Sequence, residues 1–158
     1  MKNNNKRVFI FVPQMWNTVG HEYQYTISIA EAFSRRGYSV RIIERVDAVP
    51  TVAELEGYLP IFRNLAASEG RKPLPWEFLR QSLAFCRELR RVLQSLDFSK
   101  GDVIFAPTIL HSEIWGWIWN IFISGNKLPK IILFLRFSLW LAHPSRFRIL
   151  RFISSILI

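Results

Sequence analysis

The stretch Arg7-Val8-Phe9-Ile10-Phe11-Val12-Pro13, near the start of the chain, contains an unbroken run of apolar, β-prone residues from Val8 to Val12. Strands that are buried on both faces of a parallel sheet have this composition, because helices cover both sides of such a sheet. The run therefore predicts the first strand of an α/β fold and places it at the centre of a parallel sheet.

The next residues complete a strand, helix, strand unit. Residues 22–36 carry apolar side chains at helical spacing, and Gly37 predicts a left-handed cap that ends the helix. Residues 39–44 form a second β-prone run, which predicts the second strand. Because such crossovers are right-handed, the two strands are expected to be parallel.

The rest of the chain extends this pattern. Residues 102–107 and 130–137 predict two further buried strands, and residues 111–124 predict the helix between them. An irregular helical insertion at the sheet edge is expected over residues 47–75, which contain several Pro and Gly residues. Residues 76–96 predict an amphipathic helix. Its apolar stripe is read as Leu79, Leu83, Cys86, Leu89, Leu93 and Leu96.

The predicted fold class is α/β, a Rossmann-like open parallel sheet with helices on both faces. The strand at residues 7–13 is expected to be central, between those at 39–44 and 102–107. The chain has 158 residues, which is enough for one domain. That domain is assigned to residues 1–144, and residues 145–158 are read as a basic, apolar C-terminal helix.

Composition excludes several classes of protein. The single cysteine, Cys86, excludes a disulfide framework and a zinc site built on several thiolates, and it is read as a core residue, with a nucleophile as the alternative. No signal peptide is predicted, and the longest apolar stretches, 114–125 and 131–142, are too short to span a membrane. We expect a cytoplasmic protein with no metal site, no cofactor and no nucleic-acid partner.

Charge is distributed unevenly along the chain. The formal net charge is +9, and all of the ionised side chains after Glu113 are basic. Within residues 111–124 the aromatic side chains of Trp115, Trp119 and Phe122 share one face. Together with Arg146, Arg148 and Arg151 they predict peripheral binding to an anionic membrane at its inner face. The alternatives are simple solvated charge or a socket for a further domain.

Ligands of open α/β sheets bind outside the carboxyl ends of the strands. Three segments meet there in the predicted fold: 13–21, 107–111 and 136–138. Gly20 precedes a helix N-terminus, which favours a phosphate or carboxylate, and a tight turn is the alternative. The chain contains neither the dinucleotide-binding glycine pattern nor a P-loop, so neither of these functions is predicted.

Charged and titratable residues mark the same edge. His21 and His111 each begin a predicted helix, where they serve as an acid, a base or a hydrogen-bond donor, or else face solvent. Arg136 ends an apolar strand and needs either an anionic ligand or a structural ion pair. Glu22 and Glu113 lie in helix first turns, where the dipole favours a carboxylate, and a catalytic pair of carboxylates is the alternative.

Several of these residues also carry a family resemblance. Four stretches carry it. They are the strand ending at Pro13, the turn Gly20-His21-Glu22, the helix end Ala32-Phe33-Ser34-Arg35-Arg36-Gly37-Tyr38-Ser39-Val40 and the strand Asp102-Val103-Ile104-Phe105-Ala106-Pro107-Thr108. Together they resemble the N-terminal domain of GT-B fold glycosyltransferases of group 1, or family 4. The chain departs from that family in having Val19-Gly20 instead of a Gly-Gly pair, and Arg136 where many members carry a histidine.

The resemblance implies an acceptor-binding half of an enzyme that transfers a sugar from a nucleotide-sugar donor to a cell-envelope or lipid-linked glycan. It implies that His21, His111 and Arg136 take part in catalysis. It also implies substrate contacts from Asn17, Thr18, Gly20 and Thr108. Because the family's donor-binding domain does not occur before Ile158, we expect the chain to be inactive alone. The alternative is a non-catalytic membrane-surface or partner-binding α/β protein.

Overall fold

The computed structural model describes residues 6–13, 21–46, 57–63 and 75–134. Within these ranges the chain forms five strands, three α-helices and a short 3-10 turn at Gly125–Lys127. The strands are β1 (Arg7–Phe11), β2 (Ser39–Arg45), β3 (Tyr58–Phe62), β4 (Val103–Ala106) and β5 (Lys130–Leu133). The helices are α1 (His21–Arg35), α2 (Pro75–Ser95) and α3 (His111–Ser124).

All five strands belong to one sheet in the order β3-β2-β1-β4-β5, and every neighbouring pair is parallel. The prediction that β1 is central, between the strands at 39–44 and 102–107, is confirmed. The register sets Val8 opposite Val40 on one side and opposite Val103 on the other. Gly37 ends α1 with a φ of 80°, which confirms the expected left-handed cap.

Each face of the sheet has its own apolar core. On one face the side chains of Val8, Ile10 and Ile42 pack against α1. On the other face the side chains of Phe9, Phe11, Ile43 and Ile104 pack against α2 and α3. The alternation of β1 between the two cores follows from the two-residue period of a strand. The predicted class, a Rossmann-like parallel sheet with helices on both faces, is confirmed.

The reading of residues 47–75 as an irregular helical insertion is wrong for Tyr58–Phe62, which forms β3 at the sheet edge. The remainder of that segment is described only at Gly57, at Arg63 and at Pro75, where α2 begins. Pro60 lowers the apparent strand propensity because it lacks an N–H group, but an edge strand tolerates this loss. In the described sheet β3 pairs only with β2, and its register shifts between Glu44 and Arg45.

The predicted apolar stripe of α2 is also wrong in part. Leu79 and Leu83, which were assigned to the core, are 60% and 50% exposed. The buried face instead carries Phe85, Leu89 and Val92. Polar residues of the helix contact the edge of the sheet at β3 and directly after it. Glu88 accepts a hydrogen bond from the backbone N–H of Arg63, and Arg91 donates one to the carbonyl of Ile61.

The strand predicted at residues 130–137 is β5, and it is less buried than expected. Lys130 and Ile132 are exposed. The physical reason is that β5 pairs with β4 alone among the described strands. Ile131 and Leu133 still pack against the α2–α3 side of the sheet.

At the amino edge of the sheet, Arg7 of β1 forms an ion pair with the buried side chain of Asp102, directly before β4. Arg7 Nη2 lies 2.7 Å from Asp102 Oδ2, and the Asp102 side chain is only 2% exposed. The Asp102 carboxylate also accepts hydrogen bonds from the backbone N–H groups of Arg7 and Ser99. Burial disfavours the ionised carboxyl group, but the hydrogen bonds from the Arg7 guanidinium and from the two backbone N–H groups outweigh it and lower the pKa of Asp102.

Gly57, directly before β3, allows a test of how β3 joins the sheet. Its φ is +79°, and a Cβ atom there would overlap the carbonyl oxygen of Val40. We expect Gly57→Ala to lower the free energy of unfolding by about 2 kcal/mol, since both backbone strain and a backbone clash oppose the side chain. Urea denaturation followed by circular dichroism measures the loss.

Gly37→Ala is the matched control. Gly37 has nearly the same φ, +80°, but nothing lies within 4 Å of its added Cβ. Only the backbone strain should remain there, about 1 kcal/mol. Equal losses in the two variants would show that Gly57 does not lie against the carbonyl oxygen of Val40 as described.

Candidate functional site

The carboxyl edge of the sheet contains the position where strand order reverses. From β1 the chain proceeds to β2 and β3 on one side, and β4 and β5 then lie on the other. The reversal therefore falls between β1 and β4. In open α/β sheets, ligands bind in the crevice at this point.

Two helices begin beside that crevice. The helix that follows β1 begins at His21 on one face of the sheet, and the helix that follows β4 begins at His111 on the other. Free N–H groups and the helix dipole make each N-terminus a favourable environment for an anion. The crevice is thus flanked by two helix N-termini that come from opposite faces.

The predicted site residues are described to different extents. His21 and His111 are the first residues of α1 and α3, as predicted, and the structure describes the backbone of both. Thr108 lies between β4 and α3 and is buried. Asn17, Thr18, Gly20 and Arg136 lie outside the described residues. Of the predicted constellation, the structure therefore brings together the two helix starts and Thr108 at one edge.

Glu113 has a structural role at the start of α3. Its side chain is buried, and Oε2 accepts a hydrogen bond from the backbone N–H of Leu110 at 3.0 Å. That bond satisfies one of the donors that a helix N-terminus leaves unpaired. The favourable effect of a first-turn carboxylate, expected from the sequence, is realised as a helix cap.

Glu44 is a residue of this edge that the sequence analysis did not select. It lies near the carboxyl end of β2, next to β1, and its side chain has no exposed surface. A carboxylate held away from water is costly unless other polar or charged groups compensate it. The signal in the sequence was an acidic residue directly after the apolar pair Ile42-Ile43 in a predicted strand, a pattern similar to the one that singled out Arg136.

Cys86 lies where α2 and α3 pack against each other. The Asn120 Nδ2 group donates a hydrogen bond to the Cys86 carbonyl oxygen at 3.1 Å and lies 3.6 Å from its Sγ atom. Cys86 is only partly buried, so it belongs to the helix contact and not to the centre of the core. Within the described ranges, no group of three or more His, Cys, Asp or Glu side chains is placed to hold a metal ion.

The aromatic face predicted for residues 111–124 is exposed. Trp115, Trp119 and Phe122 present 47%, 55% and 80% of their surfaces to solvent, whereas Trp117 is buried. Arg146, Arg148 and Arg151, which were expected to act with this face, lie outside the described residues.

Two further findings bear on the class of the protein. In the part of the chain that the structure describes, no helix is both long enough and apolar enough to cross a membrane. Comparison of the chain with protein-family models, with curated proteins and with solved structures finds no match.

Proposed function

We propose that the chain is the acceptor-binding half of a glycosyltransferase and that it binds the phosphorylated end of a sugar or lipid-linked glycan at its carboxyl edge. The observation that carries the proposal is the crevice between β1 and β4, which two helix N-termini flank from opposite faces. The five-stranded parallel sheet is also the fold that the resemblance implies.

The proposed roles follow from position. The N-termini of α1 and α3 attract the anionic group, and Gly20 lets the backbone approach it closely. His21 and His111 donate hydrogen bonds to phosphate or sugar hydroxyl groups. Arg136 offsets negative charge that develops on a leaving diphosphate. Asn17, Thr18 and Thr108 complete the substrate contacts, and a second domain supplies the nucleotide-sugar donor.

A non-catalytic membrane-surface or partner-binding protein is the second candidate function. The exposed aromatic side chains of α3 favour it, because a contiguous exposed apolar surface commonly marks an interaction site. Such a protein would need no chemistry at the carboxyl edge.

Binding of small anions to the intact chain tests the first candidate. Glucose 1-phosphate and pyrophosphate are titrated into isotope-labelled protein, and backbone amide shifts are followed by NMR. We expect both probes to shift the amides of residues 20–23 and 108–113 together. His111→Ala should weaken binding of glucose 1-phosphate about tenfold, since it removes one hydrogen bond to a charged group.

Arg35→Gln is the matched control, because Arg35 lies at the opposite end of α1 and is exposed. It should leave binding unchanged. Binding that shifts amides elsewhere, or that is equally strong in His111→Ala, would remove the crevice as the site. Fusion to a donor domain then tests catalysis: nucleotide release should fall at least tenfold in Arg136→Ala.

A further inference from the structure

An exposed apolar surface extends over two helices, not one. The six side chains on the outer side of α2 and α3 are more than 45% exposed. They are Trp76, Leu79 and Leu83 on α2 and Trp115, Trp119 and Phe122 on α3. We call this set the outer apolar face.

The two parts of the outer apolar face border the same helix contact. Gly116 packs so closely against Phe85 and Cys86 that an added Cβ would lie 2.6 Å from Phe85 Cδ1. Leu83 lies three residues before Cys86 on α2, and Trp119 lies three residues after Gly116 on α3. Since residues three apart are neighbours on a helix surface, both side chains flank this contact.

The outer apolar face points away from the sheet. The opposite sides of the two helices carry Phe85, Leu89 and Trp117, which belong to the core. Monomeric proteins rarely expose a contiguous apolar patch of this kind without a binding role. The face therefore needs an occupant of matching chemistry.

The exposed charges on the two helices are basic. Arg80, Arg87 and Arg90 are exposed on α2, and the Arg80 guanidinium lies 5.8 Å from the centre of the Trp76 ring. None of the three acidic residues of α2 and α3 is exposed. They are Glu77, which is half-buried, Glu88, which pairs with Arg91, and Glu113, which caps α3.

We infer that the outer apolar face binds peripherally to an anionic lipid bilayer. Leucine and tryptophan side chains enter the interface between headgroups and acyl chains, where the amphipathic tryptophan ring is favoured. The three arginines meet anionic headgroups, to which each basic residue near the surface is attracted. This partner fits the charge of the face better than a protein surface, because exposed basic residues accompany the apolar ones without any exposed acidic residue.

The inference does not depend on the crevice between β1 and β4. It gives a partner and a set of residues to the second candidate function, and it is equally compatible with an enzyme that acts on a lipid-linked acceptor. It extends the predicted membrane-binding surface from α3 to α2, whose Leu79 and Leu83 were predicted to lie in the core.

Vesicle co-sedimentation of the full chain tests the inference. Phosphatidylcholine vesicles with and without phosphatidylglycerol are compared at low and high salt. The unmodified chain should bind the anionic vesicles more strongly, and salt should reduce this preference. The double variant Leu83→Ser, Trp119→Ser should bind anionic vesicles at least tenfold more weakly. The exposed positions make loss of the fold unexpected, and circular dichroism checks it.

The arginines are tested separately. The triple variant Arg80→Gln, Arg87→Gln, Arg90→Gln should lose about tenfold or more in binding to anionic vesicles and should no longer prefer them. The matched control replaces Arg35, Arg36 and Arg41, which are also exposed but lie on other surfaces. It should retain the preference for anionic vesicles.

Three results would overturn the inference. One is absence of binding to either kind of vesicle, and another is unchanged binding in the Leu83, Trp119 double variant. The third is concentration-dependent self-association of the unmodified chain that this double variant abolishes, since the face would then join two copies. Thr108→Val, at the crevice, should leave vesicle binding unchanged, so failure here is distinguishable from failure of the proposed glycosyltransferase site.

Discussion

Replacing Trp117 with alanine should lower the free energy of unfolding by about 4 kcal/mol, because it removes the largest fully buried side chain of the described core. The Trp117 ring packs edge-on against Phe11 of the central strand, with ring centres 5.4 Å apart. Phe11 in turn packs against Phe62 of β3, at 5.9 Å. The substitution therefore leaves a cavity between α3 and the middle of the sheet.

Trp119→Ala is the matched control, two residues further along the same helix. Trp119 is 55% exposed, so its loss should change stability by no more than about 0.5 kcal/mol. Urea denaturation followed by circular dichroism compares the variants. Trp117→Phe should retain about half of the lost stability, which keeps the test valid where the alanine variant does not fold. Similar losses at Trp117 and Trp119 would contradict the described orientation of α3.

Some elements were predictable because their signals are local. The run from Val8 to Val12 is apolar throughout, and Gly37 and Ser39 mark the end of one element and the start of the next. The parallel order of β2, β1 and β4 then followed from the handedness of crossovers. The bounds of α3 were predicted as observed, 111–124.

The orientation of α2 was not predictable in this way. Leu79 and Leu83 form one apolar row, while Phe85 and Val92 form another on the adjacent side. Helical spacing cannot decide between two apolar rows, since both have the period of a helix. Contacts distant in sequence decide it, because Glu88 bonds to the backbone of Arg63, directly after β3, and Gly116 allows α2 to pack closely against α3.

The candidate site shows the same limit. The positions of His21, His111 and Thr108 followed from strand ends, because the residue after a parallel strand lies at a known edge of the sheet. Glu44 was missed because its importance lies in its burial, which depends on the strands that flank β2 and not on its neighbours in sequence. Because β3, which contains Pro60, was not predicted, a strand on that side of β2 was not expected either.

Replacing Asp102 with asparagine should lower the free energy of unfolding by about 3 kcal/mol at neutral pH. The change removes the charge that Arg7 faces at 2.7 Å and weakens the two backbone hydrogen bonds from Arg7 and Ser99. Those bonds hold β1 beside β4, at the turn between Ser99 and Asp102 that connects α2 to β4. Because the Asp102 carboxylate is buried, salt should reduce the effect only slightly.

The loss should depend on pH in a defined direction. The pKa of Asp102 is lower in the folded chain than its ordinary value of 3.8, so the ionised carboxylate stabilises the fold. This contribution is fully present above the ordinary value and disappears as the pH falls through the lowered one. The stability difference between the unmodified chain and Asp102→Asn should thus be constant from about pH 5 upward and should shrink below about pH 4.

Glu31→Gln is the control for a pair that is exposed. Glu31 accepts a hydrogen bond from Arg35 at 3.0 Å, but both side chains are largely in solvent. Its replacement should change stability by no more than about 0.5 kcal/mol, and salt should abolish that change. Stability measured by urea denaturation across pH compares the two variants. A loss in Asp102→Asn that stayed constant down to the lowest pH would mean that packing or hydrogen-bond geometry, and not the charge of Asp102, joins the two strands.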